Sequence, residues 1–237
     1  MVEACETHGV GRLVHVSTPA LYFDYTHRTD IREQDPFAET PANAYCWSKR
    51  LAEREVEVAA SRGLPVITLR PRALFGPGDR SILPRLIRAN AGKGIPWIDE
   101  GRALIDATYV DNAVDALVTA LRAPSRALGQ AFNITDGAPV PLSGLLESLF
   151  RRLGVPLRPR PLSYRKAQVV AGLMEGVYAG LLPGREPPLT RYGVGLLSRT
   201  MTFDITRSRE VLGHRPVVGL EEGLDRFAHS WRRENGR

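Results

Sequence analysis

Apolar positions along the 237 residues follow two different periods. Arg12-Leu13-Val14-His15-Val16-Ser17 is a short β-branched run that reads as a strand. Pro65-Val66-Ile67-Thr68-Leu69 is the continuous apolar run of a strand buried on both faces, and Ala131-Phe132-Asn133-Ile134-Thr135 is a third strand, stopped by Asp136-Gly137. Helical spacing fills the gaps. Val2 to His8 closes at Gly9, and Ala44 to Arg62 is capped by Asn43 and ended by Gly63. Ser81 to Ala91 follows a Gly76-Pro77-Gly78-Asp79 turn. A further helix is expected to use Asp111 as its N-cap and to bury Val110, Ala113, Val114, Leu117, Val118 and Leu121. Phe23 to Pro41 reads as a polar loop. Beyond Gly137 the pattern is mainly helical, with segments at Ser143–Leu153, Tyr164–Leu182, Arg207–Leu212 and Leu220–Arg233. Strand, helix and strand in alternation predict an α/β chain with a parallel sheet, followed by a smaller, mostly helical region.

Composition narrows the class. Hydrophobic residues at 43% and charged residues at 24% fit a packed domain and exclude a disordered or collagen-like chain. The net charge of +6 is spread along the chain, without a basic stripe interleaved with stacking aromatics, so no nucleic-acid partner is expected. Cys5 and Cys46 are isolated thiols with no metal-ligand spacing, which predicts a reducing compartment and no metal site. Met1 to Cys5 has neither the basic nor the apolar region of a signal peptide, and a cytoplasmic protein is expected. In Tyr164 to Leu182, Val169, Val170, Leu173, Val177, Leu181 and Leu182 form an apolar face, and Gly172, Gly176 and Gly180 form a ridge that allows close packing. That helix reads either as a core helix of the smaller domain or as a membrane-contacting one.

The chemistry concentrates in Tyr45-Cys46-Trp47-Ser48-Lys49. Positions i and i+4 share a helix face, so phenol and ammonium reach one pocket. A free tyrosine titrates near ~10, and a neighbouring cation favours the phenolate. Such a pair is a candidate general acid/base on an alcohol or ketone, and the lysine can also hold a ribose hydroxyl. By itself this spacing is common on helix surfaces. Ser17-Thr18 sharpens it by placing hydroxyls at the carboxyl end of a strand, where open α/β sheets bind ligands.

Several segments together resemble the extended short-chain dehydrogenase/reductase superfamily, nearest to its 3β-hydroxysteroid dehydrogenase-like branch. They are Leu13 to Thr18, Tyr45 with Lys49, Leu69-Arg70-Pro71 with Leu74 to Asp79, Thr108 to Ala113, Phe132 to Gly137, and Phe203-Asp204-Ile205 with Leu212-Gly213. The resemblance implies a Rossmann fold, NAD or NADP as cofactor, and Thr18, Tyr45 and Lys49 as catalytic residues. It also implies Ser17, Tyr45, Lys49, Pro71, Arg72, Ala73 and Leu74 as cofactor-binding residues. Residues 1–76 and 104–135 would belong to the dinucleotide domain, and 77–103 with 136–237 to the substrate domain. A homodimer formed through the tyrosine helix is likewise implied.

The glycine-rich turn that cradles a dinucleotide pyrophosphate is not found at its full spacing in the 237 residues. The expectation is a partial Rossmann domain lacking its first βαβ units, roughly 75–100 residues at ~30 per unit. The leading functional reading is hydride transfer between nicotinamide and a secondary alcohol or ketone. Leu104 to Thr108 lacks the arginine with which nucleotide-sugar enzymes of the superfamily meet phosphates, and the substrate is therefore expected to be a small apolar molecule such as a sterol or long-chain acyl compound. A nucleotide-sugar epimerase or dehydratase is the alternative, and a non-catalytic remnant or interaction module is the alternative of another class.

Overall fold

The computed structural model describes residues 1–182, 184–185 and 187–236. Its elements run α1 (Val2–Thr7), β1 (Leu13–Val16), β2 (Arg28–Ile31), α2 (Ala44–Ser61), β3 (Val66–Pro71), β4 (Leu74–Phe75), α3 (Leu83–Ala91), β5 (Ile95–Trp97), β6 (Leu104–Ile105), β7 (Thr108–Tyr109) and α4 (Val110–Arg122). They continue with β8 (Gln130–Ile134), β9 (Val140–Pro141), α5 (Leu142–Leu153), β10 (Pro159–Pro161), α6 (Tyr164–Leu181), α7 (Arg191–Ser198), β11 (Met201–Phe203) and α8 (Leu220–Glu234). The α/β class with parallel strands is the one expected.

The three strands expected from the sequence form one parallel sheet in the order β1-β3-β8. Leu13 faces Val66 and Leu69 faces Phe132 across its two ladders. Its central strand β3 is buried almost throughout, which explains its unbroken apolar run. Helix α4 lies against this sheet through Ala116 and Ala120, both fully buried with Ile67, Leu69, Phe132 and Ile134. This corrects the expected stripe. Val114, Val118 and Leu121 face outward, because only alanines allow so close an approach to the strands. Asp111 sits inside the first turn, and the N-cap is Tyr109.

A second core joins Phe75, Leu83, Tyr109, Leu146, Leu149, Phe150 and Phe227 around α3, α5 and α8. The segment expected to be loop, Phe23 to Pro41, contains β2, and the mainly helical C-terminal half contains β9, β10 and β11. Strands β2, β11, β6 and β9 form one mixed sheet. These strands have two to four residues, too short to display a period of two. Their partners are also remote, since β2 pairs with β11. The last short helical segment expected, Arg207–Leu212, is a single π-helical turn over Ser208–Leu212. Helix α6 inserts only Ala167 and Ala171 into a core, while Val169, Leu173, Val177 and Leu181 are exposed, so its apolar face is not the core face. Gly172 lets it approach the Arg191 guanidinium of α7, where a β-carbon would collide. No helix among the described residues is long and apolar enough to cross a membrane.

One buried ion pair ties the sheet to helix α2. Glu53 and Arg70 side chains are 2% and 4% exposed and paired, with Arg70 Nε donating to Glu53 Oε1 at 3.0 Å. The Ser17 hydroxyl also donates to Glu53, and Arg70 also donates to the Tyr22 hydroxyl. Burial pushes the Tyr22 phenol up to about 12, against the opposing effect of the Arg70 cation. Removing one member of such a pair strands the other charge. Glu53→Ala is therefore expected to lower unfolding free energy by about 3–5 kcal/mol in urea titration. Glu6→Ala, which breaks the exposed Arg62–Glu6 pair, is expected to cost under about 1 kcal/mol.

Asp106, 1% exposed, accepts the Phe203 N–H at 3.1 Å and so joins the β6–β7 segment to β11. Burial pushes its carboxyl up from 3.8 to about 6, with the Phe203 N–H opposing. The folded chain therefore keeps this proton at a pH where the unfolded chain has lost it. The contribution to stability is full below the unfolded value and is lost as pH rises through about 6. The expected loss is up to about 3 kcal/mol in urea midpoints followed across that range, and Asp106→Asn is expected to flatten the slope.

Candidate active site

Three chain segments converge at the carboxyl end of the parallel sheet. The first is Ser17-Thr18, directly after β1. Thr18 caps the turn Pro19–Tyr22, its Oγ1 accepting the Ala20 N–H at 3.2 Å. That bond uses a lone pair and leaves the hydroxyl proton available to a ligand oxygen. The second is the first two turns of α2. Asn43 sets their start by accepting the Cys46 N–H at 2.9 Å. Tyr45 then projects with 51% exposure, and Lys49, one turn on, donates from Nζ to the Val16 carbonyl at 2.8 Å. The ammonium is thus fixed to the strand end that carries Thr18.

The third segment is Arg72-Ala73, beyond β3. The Arg72 backbone is held on two sides. Its N–H donates to Ile134 O at 3.0 Å, and its carbonyl accepts the Thr108 hydroxyl at 2.7 Å. Ala73 follows with φ of 44°, a left-handed conformation rare for a residue with a β-carbon. Further on, the chain turns tightly at Gly76, where a β-carbon would strike Val110. Asp79 then accepts the N–H groups of Ser81 at 2.7 Å and Leu83 at 2.8 Å and so starts α3.

These segments wall a cavity of about 460 Å³. Thr18, Tyr45, Arg72 and Ala73 line it together with Phe75, Leu86, Leu142, Leu145, Leu197 and Leu224. Thr18, Tyr45 and Arg72 thus share a chamber whose remaining wall is mostly aliphatic. A wider depression of about 890 Å³ runs past Asp111, Asp225 and Arg226 on α4 and α8 and touches none of the candidate residues.

The remaining candidates fall outside this wall. Lys49 stands behind it, on the Val16 carbonyl. The Ser17 hydroxyl donates to Glu53. Pro71 closes β3, and Leu74 is 39% exposed in β4. Tyr192 lines the cavity and has no signature in the sequence. It is brought in by α7, whose cap Thr190 accepts the Gly193 N–H at 2.9 Å. Burial pushes its phenol up to about 12, against the opposing effect of the Arg72 cation. A Thr-x-x-Gly cap was readable locally. The place of Tyr192 in the same cavity wall as Tyr45, far away in sequence, was not.

Comparison with known proteins places the chain in a family. The sequence model of the NAD dependent epimerase/dehydratase family matches residues 1–135. The uncharacterized protein YbjS of Escherichia coli is 37% identical over 97% of this chain and 68% of its own length. The 2-alkyl-3-oxoalkanoate reductase of Stenotrophomonas maltophilia is 34% identical over 97% of this chain and 71% of its own. The decarboxylating sterol-4-alpha-carboxylate 3-dehydrogenase of Schizosaccharomyces pombe is 31% identical over 95% of this chain and 68% of its own. Among solved structures, UDP-glucuronic acid 4-epimerase of Bacillus cereus, in complex with NAD, superposes with a TM-score of 0.72 at 20% identity, a likeness of fold. It covers 98% of this chain and 65% of that one, so the chain spans about two thirds of the length of these four proteins. The chain belongs to the NAD dependent epimerase/dehydratase family, within the extended short-chain dehydrogenase/reductase superfamily and its 3β-hydroxysteroid dehydrogenase-like branch.

Proposed function

We propose that this chain is an NAD(P)-dependent oxidoreductase that acts on a secondary alcohol or ketone carbon of an apolar small molecule. The observation that carries the reading is the shared cavity, in which Thr18 and Tyr45 line a mostly aliphatic chamber, with Lys49 one helical turn on from Tyr45. Thr18 donates to the substrate oxygen as charge develops there. Tyr45 gives that oxygen its proton during reduction and takes it back during oxidation. The residues fit the nicotinamide-ribose end of a dinucleotide. Tyr45 is half exposed, Lys49 carries donors beyond the one bound to Val16, and Arg72-Ala73 closes the opposite wall. When bound, the nicotinamide supplies or accepts the hydride.

The relatives named as acting on 2-alkyl-3-oxoalkanoates and sterol carboxylates support an apolar substrate. Residues 1–76 with 104–135 would form the cofactor domain, and 77–103 with 136–237 the substrate domain, the cavity lying between the two cores. A homodimer through α2 is supported by the outward apolar positions Trp47, Leu51 and Val58, with Val114, Val118 and Leu121 on α4.

Following NADH or NADPH oxidation with long-chain aliphatic ketones tests the assignment. Tyr45→Phe is expected to lower kcat/KM by at least about 100-fold. Its melting temperature should not change, since the side chain is 51% exposed. Undiminished turnover in Tyr45→Phe would overturn the mechanism.

A further inference from the structure

Helix α6 has its large and small apolar residues on the wrong sides for a water-facing helix. It turns only Ala167 and Ala171 into a core, beside Ile98 and Val194. Its bulkier aliphatic side chains point outward. Val169, Leu173 and Leu181 are 62%, 67% and 76% exposed, and Val170 and Val177 are exposed with them. Spacings of three and four residues put Val169, Leu173, Val177 and Leu181 on one face. Gly176 and Gly180 share that face, and space is open beside both. A surface helix ordinarily buries its large apolar groups, and a continuous exposed apolar strip marks a surface that meets something other than water.

The charge around the strip selects the partner. From Arg158 to Arg199 the chain holds seven basic residues against Glu175 and Glu186, so this stretch carries +5 of the net +6. Arg165 and Lys166 lie in the first turn of α6, which has no acidic residue. Cations there oppose the helix dipole, so they do not serve the helix itself. Lys166 stands seven residues before Leu173 and therefore on the apolar face. Arg185 is exposed beyond the other end. Exposed arginines elsewhere, such as Arg62 and Arg226, pair with carboxylates. Arg165, Lys166 and Arg185 make no ion pair with a described residue. Both ends of the strip are thus basic. A second copy laid on it would bring cation to cation whether parallel or antiparallel, whereas acidic headgroups neutralise both ends at once.

We infer that α6 seats this protein on the surface of an anionic phospholipid bilayer, with Leu173, Val177 and Leu181 among the acyl chains and Arg165, Lys166 and Arg185 at the headgroups. The helix lies on the bilayer and does not cross it, since no helix among the described residues is long and apolar enough to span one. Pro187, Pro188 and Leu189, which follow α6, line the aliphatic cavity. A seated helix therefore holds one wall of that chamber next to the lipid. The inference does not rest on the hydride-transfer reading, because binding to lipid is measured without cofactor or substrate.

Flotation of the purified chain with vesicles tests it. The probes are vesicles of phosphatidylcholine alone and of phosphatidylcholine mixed with phosphatidylglycerol. The wild type is expected to bind the mixed vesicles at least about tenfold more tightly, and to lose most of that preference at ~1 M salt, where charges are screened within a few ångströms. The double variant Arg165→Gln/Lys166→Gln should weaken binding to mixed vesicles at least about tenfold. Leu173→Gln/Val177→Gln should weaken it at least as much, by removing apolar area from the seat. All four side chains are exposed, so melting temperatures should not change. Val217→Gln, equally exposed but remote from α6 in sequence, should bind as the wild type does. Absence of binding to mixed vesicles overturns the inference, as does equal binding to both kinds. Binding that persists in the two α6 variants also overturns it. A wild-type dimer in light scattering that the apolar variant turns into a monomer, with vesicle binding unchanged, assigns the face to a second copy and overturns it too. If the apolar variant fails to fold, Arg165→Gln/Lys166→Gln decides alone.

Discussion

The Glu53–Arg70 ion pair is the constraint on which the rest of the site depends. Glu53 lies on α2 and Arg70 on β3, and the carboxylate also accepts the Ser17 hydroxyl at the end of β1. One buried charge therefore fixes the helix, the central strand and the edge of the turn that presents Thr18. Tyr45, Lys49 and Glu53 are spaced four apart on α2, so the anchor and the proposed reactive groups share one helix face. Pairs of this kind are weak evidence for stability, but removing one partner is strongly destabilising. What the pair contributes is position. It limits how α2 can slide or turn against the sheet that Thr18 and Arg72 leave.

The two arginines separated by Pro71 illustrate how environment divides similar residues. Arg70 points to the side of β3 facing α2 and finds Glu53. Arg72 lies past the end of the strand, where the chain has turned toward the second core, and lines an aliphatic chamber. The chamber is apolar because it sits between Phe75, Leu142, Leu145 and Leu224, which belong to the core around α3, α5 and α8. Its hydroxyls come from the parallel sheet and α2. The polar and the aliphatic parts of the wall are thus supplied by different parts of the chain, which meet at Ala73. The left-handed backbone there is the bend that lets them meet.

Much of this was legible in the sequence where the cues are local. The unbroken run at Val66 to Leu69 announced a central strand, Asn43 and Gly63 bounded α2, and the four-residue spacing of Tyr45 and Lys49 placed them on one face. Where packing decided, the residues were silent. Val114, Val118 and Leu121 have the helical spacing of a core stripe, yet alanines take the buried positions, since the distance between α4 and the sheet admits only small side chains. Arg28 to Ile31 shows no strand alternation because four residues are too few to display it, and its partner Met201 to Phe203 is remote in sequence. The place of Tyr192 in the cavity wall is a property of a three-dimensional neighbourhood, and no spacing encodes it.

The arrangement of α2 also dictates which changes of length the gene can tolerate. Each added or lost residue turns a helix by about 100° and shifts it by about 1.5 Å. Between Tyr45 and Glu53 a single insertion would leave the ion pair in place and swing the phenol out of the chamber, or hold the phenol and tear Glu53 from Arg70. Eight residues of α2 therefore act as a ruler of fixed length. Surface loops without such pairing carry no such restriction, and length variation among related genes should collect there and be absent from the ruler.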